Sequence, residues 1–192
     1  WVNASYIIQA CNATGCTDSA AINTTSAMIS AIGYYKASNA QSSDSFGETV
    51  ALSADGNTLA IGAWGEDSNA SGINGNQNND DGTANASGAV YVFVRSDGSW
   101  VQQAYIKASN NGSDDNFGRK LALSADGNTL AVGAEGEDSS ATGINGDGTI
   151  NDTNTWGSGA AYVFIRNTGA WSQQAYIKAS NTGKYDRFGN SL

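Results

Sequence analysis

The chain has 192 residues, 24 Gly, two Cys, no Pro, no His and a formal net charge of −9. Its nine Lys and Arg residues form no stripe, which argues against nucleic acid and anionic membrane surfaces, since both need clustered positive charge. No apolar run approaches the ~20 residues of a membrane-spanning helix, and short apolar runs between Gly, Asn, Ser, Thr and Asp suit short strands and tight turns.

The first predicted element is a β-hairpin. Cys11 and Cys16 flank Asn-Ala-Thr-Gly, and a strand-turn-strand arrangement there would bring the two sulfurs together as a disulfide. Two unpaired thiols, or half of a metal site, are the alternatives. A zinc site has too few ligands, with no His and no second cysteine pair. A disulfide implies an oxidising, extracellular location. Residues 22–33, rich in Ser, Thr and Ala, read as a linker.

From residue 34 the chain repeats with a period of 71 residues and no insertion or deletion. Tyr-Tyr-Lys-Ala-Ser-Asn at 34–39 returns as Tyr-Ile-Lys-Ala-Ser-Asn at 105–110 and 176–181. Phe46-Gly47 returns as Phe117-Gly118 and Phe188-Gly189. Ser-Ala-Asp-Gly-Asn-Thr-Leu-Ala at 53–60 returns unchanged at 124–131. This gives repeat one at 34–104, repeat two at 105–175 and the start of a third at 176–192.

Each unit reads as four strands. Asp55-Gly56 between alternating apolar residues is a two-residue hairpin turn. Closing it there pairs Leu52 with Leu59, Val50 with Ile61 and Ala51 with Ala60, so one face is bulky and the other small. A sheet apolar on both faces must be covered on both, and the small face allows a neighbouring sheet to approach closely. A second hairpin turns at Asp97-Gly98 and at Thr168-Gly169. It sets Arg95 opposite Trp100 and Arg166 opposite Trp171, where the cation either sits over the ring or simply covers it. The expected fold is all-β, with tandem four-stranded antiparallel blades of a β-propeller, about two of them plus the start of a third.

The succession Phe46-Gly47, Asp55-Gly56, Gly62-Ala63 and Ser87-Gly-Ala-Val-Tyr-Val-Phe93 resembles the FG-GAP repeat of integrin α chains and bacterial secreted or surface proteins. The resemblance runs from residue 34 to the end and implies a propeller that binds ligands and carries calcium. The family's Asp-x-Asp-x-Asp-Gly calcium loop is reduced here to the turn Ala54-Asp-Gly-Asn57, so that metal site does not carry over. Residues 1–21 resemble the last two strands of a fibronectin type III domain, so the chain is expected to be cut from a larger protein.

Chemistry is expected in residues 64–86 and their counterparts in repeat two. Calcium takes six to eight oxygens from carboxylates, amides, carbonyls and water. The candidate ligands are Glu66, Asp67, Asp80 and Asp81 in repeat one and Glu137, Asp138, Asp147 and Asp152 in repeat two. Turn-capping is the alternative for all eight. Asp44 and Asp115 also recur, two residues before Phe-Gly. Without His or a spare Cys the common nucleophilic triads have no base, and acids that recur once per repeat are poor catalytic candidates, so no enzyme is expected. The predicted function is extracellular binding or adhesion to a protein or glycan. The alternatives are a filament or surface layer of copies of the chain packed blade to blade, and a piece of a propeller enzyme.

Overall fold

The computed structural model describes residues 34–150 and 154–192 in full, and before them the backbone of four short strands. The chain divides into two compact units, Trp1–Lys36 and Ala37–Leu192.

In the first unit β1 (Ser5–Tyr6) pairs with β4 (Ile22–Asn23), and β2 (Gln9–Asn12) pairs with β3 (Gly15–Asp18), both antiparallel. The β2–β3 register puts Cys11 directly across from Cys16. Their side chains, and hence the disulfide, lie outside the described residues. Ile22 and Asn23, at the start of the segment that composition reads as a linker, are paired strand residues, with Ile22 opposite Tyr6. The rest of that linker lies outside the described residues.

The second unit contains two four-stranded antiparallel sheets, each a simple meander. The first runs β5 (Thr49–Leu52), β6 (Thr58–Ala63), β7 (Ala89–Ser96) and β8 (Ser99–Ile106). The second runs β9 (Lys120–Leu123), β10 (Thr129–Ala134), β11 (Ala160–Asn167) and β12 (Ala170–Ile177). The β-branched and aromatic content of β6, β7, β10 and β11 favours the pleated conformation, and the most buried strands are these central ones. Among the described residues there is no helix.

The registers match the sequence reasoning: Val50 faces Ile61, Ala51 faces Ala60 and Leu52 faces Leu59, and the same pairs recur between β9 and β10. The first turn is wider than expected. Ser53 N donates to the Thr58 carbonyl and Gly56 N to the Ser53 carbonyl, so the loop has four residues rather than two. The Asp55 carboxylate accepts from Ser53 Oγ at 2.5 Å and Asn57 N at 3.0 Å, and Gly56 takes the left-handed conformation that ends the turn. Both loop lengths give the same register because they share one centre. The second hairpins are tight, with positive φ at both Asp97 and Gly98, and at both Thr168 and Gly169.

The two sheets stack small face on bulky face. Ala60, Val90, Val92 and Ala104 of the first join Leu130, Val132, Tyr162 and Phe164 of the second in one buried cluster, with Leu121 and Leu123 packed against it. Their counterparts on the first sheet, Val50 and Leu52, are more than half exposed. At the seam the backbones nearly touch: a Cβ on Gly62 would lie 2.1 Å from the Gly118 carbonyl oxygen. That same oxygen accepts from Thr49 Oγ1 at 2.7 Å. Phe117 is fully buried, bridges to Gly88 in parallel and packs edge-on against Tyr162. Phe-Gly of one repeat therefore docks onto Gly-Ala of the repeat before it.

Candidate functional site

The long excursion between the second and third strands begins at Glu66. Its amide is tied to the Ala63 carbonyl and its own carbonyl accepts from Gly88 N, which turns the side chain into the sheet. There Glu66 is buried with Lys107, and Lys107 Nζ lies 2.7 Å from Glu66 Oε2 and 2.6 Å from Ser87 Oγ. The other carboxylate oxygen accepts from Tyr105 OH and from Asn39 Nδ2, both at 2.8 Å. Tyr91 OH donates to Asn39 Oδ1 at 2.5 Å, and Ser68 Oγ lies 2.6 Å from Tyr105 OH. Repeat two rebuilds the network with Glu137, Lys178, Ser158, Tyr176, Asn110, Tyr162 and Ser139.

Burial pushes the Tyr105 and Tyr176 phenols far up, and the glutamate charge beside each adds to this, so both stay protonated and donate. Burial pulls the Lys107 ammonium down while Glu66 opposes it. A buried charge needs a partner and further hydrogen bonds to be tolerable, and every polar atom of this pair has them.

The recurring hexapeptide belongs to two networks at once. Tyr105 and Lys107 hold Glu66 of the first sheet, whereas Asn110, three residues on, holds Glu137 of the second. Sequence reasoning used this segment only to find the repeat. The recurrence of a lysine straight after two apolar strand residues, at 107 and 178, was the available sign of a buried charge.

The remaining acids sit mostly in turns. Asp67 Oδ1 accepts from Ala86 N and Asp138 Oδ1 from Gly157 N, each at 2.7 Å. Asp80 accepts from Gly82 N at 3.3 Å. Asp81 takes Thr83 N, Thr83 Oγ1 and Asn69 Nδ2, and Asp147 takes Thr149 N and Oγ1. These bonds hold the Asp81 and Asp147 carboxyls below their ordinary range. Asp152 lies outside the described residues. The excursion folds back on β8 through Asn74, whose amide donates to the Tyr105 carbonyl while its side chain accepts from Tyr105 N.

Among the described residues no three acidic side chains converge as a metal cage. Glu66 and Glu137 are each paired to a lysine, which leaves the loop acids Asp80, Asp81 and Asp147 as the exposed candidates among the described residues. Asp44 and Asp115 are buried and cap the turn before Phe-Gly, accepting from Gln41 N and Gly112 N. Burial, reinforced by the charges of Glu137 and Asp138 and opposed by the Gly112 amide, pushes Asp115 up to about 7.

Arg166 stacks over Trp171, 5.3 Å from Cζ to the ring centroid, as the register suggested. It also donates to Thr58 Oγ1 and Gln103 Oε1 of the first sheet, so the cation joins the two sheets as well as covering the ring.

Four-stranded meanders stacked face to face at a constant repeat define propeller blades. The family model of the FG-GAP repeat matches residues 35–93 and 100–164. The chain belongs to the FG-GAP repeat family. A search of curated proteins returned no match.

Proposed function

We propose that the chain is a non-enzymatic extracellular binding or adhesion module of a larger secreted or surface protein. The observation that carries this reading is where the recurrent ionisable groups go: Glu66, Glu137, Lys107 and Lys178 are enclosed and mutually neutralised. Chemistry that is repeated in each blade thus serves the scaffold, and the loops are left to vary. Loops on a rigid frame are the common place for recognition. The Cys11–Cys16 register supports a disulfide and with it an oxidising location. The first unit is read as the tail of a fibronectin type III-like domain.

Calcium binding in the excursion loops is part of the proposal and rests on the exposed acids Asp80, Asp81 and Asp147. Binding of the purified chain to immobilised matrix proteins and glycans, with calcium and with chelator, tests both points. Saturable binding to at least one member is expected, with a calcium-dependent rise in melting temperature. No binding across the panel refutes the adhesion reading, and an unchanged melting temperature refutes the calcium part.

A second reading, assembly of copies blade to blade, is favoured by the exposed Val50 and Leu52, whose counterparts Leu121 and Leu123 are covered by a blade. Concentration-dependent particles in light scattering would support it.

A further inference from the structure

The two repeats provide an internal comparison. Positions kept at the 71-residue spacing build the blade, and those that change are released from that duty. Several of the changed positions meet at one cleft of about 500 Å³ beside the second blade. Its lining includes Arg119, Glu135, Trp156, Tyr185 and Arg187. The residues 71 places earlier are Glu48, Trp64, Asn85, Asp114 and Asn116. The volume lies within the ~300–1,000 Å³ of small-ligand sites.

Two aromatic rings stand open there, with Trp156 56% and Tyr185 60% exposed. Backbone bonds fix their spacing: Tyr185 N donates to the Trp156 carbonyl at 2.9 Å, and Arg187 N to the Gly157 carbonyl at 3.1 Å. A Cβ at 157 would lie 3.2 Å from the Tyr185 ring, where the first repeat carries Ala86. Tyr185 and Arg187 sit at φ +64° and +52°. The second repeat fills these left-handed positions with Asp114 and Asn116, residues suited to them, whereas Tyr and Arg bear a steric cost there. Bulky residues held in disfavoured conformations cluster at functional sites.

The cleft also gathers positive charge on an acidic protein. Lys184 Nζ stands 5.7 Å from the Trp156 centroid and 5.1 Å from the Tyr185 centroid. With Arg119 and Arg187, three of the nine basic residues of the chain meet here. Arg119 is paired to Glu135 at 2.6 Å, whereas Arg187 has no ion-pair partner among the described residues.

The geometry points to this cleft as a binding site for a saccharide that carries a carboxylate. Lys184 lies over one face of each ring, and the other faces are flat and apolar and suit the C–H side of a sugar, with polar edges beside them. The Arg187 guanidinium, which has no ion-pair partner among the described residues, matches a carboxylate in bidentate geometry, and Lys184 adds a second cation. Asp114 and Glu135, the latter already neutralised by Arg119, are placed to accept from sugar hydroxyls. This inference rests on the binding-module reading and names its ligand.

The test is an array of uronate- and sialate-terminated oligosaccharides beside their neutral counterparts, probed with the whole chain and followed by calorimetric titration of the best member. Preferential binding of an acidic member is expected. Trp156→Ala should weaken it at least tenfold. Arg187→Gln should reduce the preference for acidic over neutral members and the sensitivity of binding to salt, with Lys184 keeping the remainder. Both side chains are exposed, so melting temperatures of the variants should match the wild type and confirm that they fold. Failure of the wild type to bind any acidic member overturns the inference. Acidic-glycan binding that survives Trp156→Ala overturns this cleft as the site but leaves the binding-module reading standing.

Discussion

Replacing Lys107 by Met removes one half of a fully enclosed ion pair while nearly preserving its volume. Glu66 would keep the Tyr105 and Asn39 donors on Oε1, but Oε2 would lose the ammonium at 2.7 Å and keep only Ser68 Oγ at 3.3 Å. Stranding a buried charge in this way costs about 3–5 kcal/mol. The two surviving donors place this case near the lower end, about 3 kcal/mol, which is a large share of the ~5–15 kcal/mol that holds a typical domain folded. The double variant Glu66→Gln/Lys107→Met removes both charges and keeps an acceptor for Tyr105. It should recover most of the loss, giving a coupling of about 2 kcal/mol between the positions. Lys178→Met repeats the experiment in the second blade. Urea unfolding at pH 7, followed by tryptophan fluorescence, measures the wild type, these three variants and the single Glu66→Gln variant that closes the cycle. A loss below about 1 kcal/mol in both single lysine variants, or a double variant as unstable as the sum of its parts, would refute the claim that these charges depend on one another.

Gly62→Ala places a Cβ 2.1 Å from the Gly118 carbonyl oxygen, with backbone on the far side, so the blades must separate. A loss of at least about 1–3 kcal/mol is expected in denaturant unfolding, as for other overpacked contacts. Asp115 has its folded pKa raised to about 7, from an ordinary value near 4. Its neutral form is fully present in both states below about pH 4, and the stability it contributes is lost as pH rises through about 7. Asp115→Asn keeps an acceptor for Gly112 N, so its melting temperature should fall less than that of the wild type between pH 5 and pH 8 and exceed it at pH 8. Parallel pH profiles for the two proteins would overturn the assignment.

Much of the blade was legible because strand registers follow from alternation and turn position. The pairs Val50–Ile61 and Leu52–Leu59 depend only on where the hairpin is centred, so mistaking a four-residue loop for a two-residue one left them unchanged. That the small face admits a neighbouring sheet was legible for the same reason, whereas its meeting the neighbour's bulky face came only with the structure. The role of Glu66 was not. An acid in a Gly- and Asn-rich loop looks solvated, and its partner Lys107 is 41 residues away on another strand. Only the closed sheet brings them together. The cleft at Trp156 was equally hidden, because its rings come from the excursion loop of one repeat and the start of the next, and the sequence comparison favours what recurs over what departs.

The hexapeptide at 105–110 clasps the glutamate before it and the glutamate after it. Wherever a tandem array of this unit is cut and rejoined in the same phase, each junction therefore brings a matching hexapeptide between two glutamates. Unequal recombination within the gene could lengthen or shorten such an array by whole units without inventing a new join. A change in one connector would have a different reach, loosening two blades at once rather than the one in which it is written.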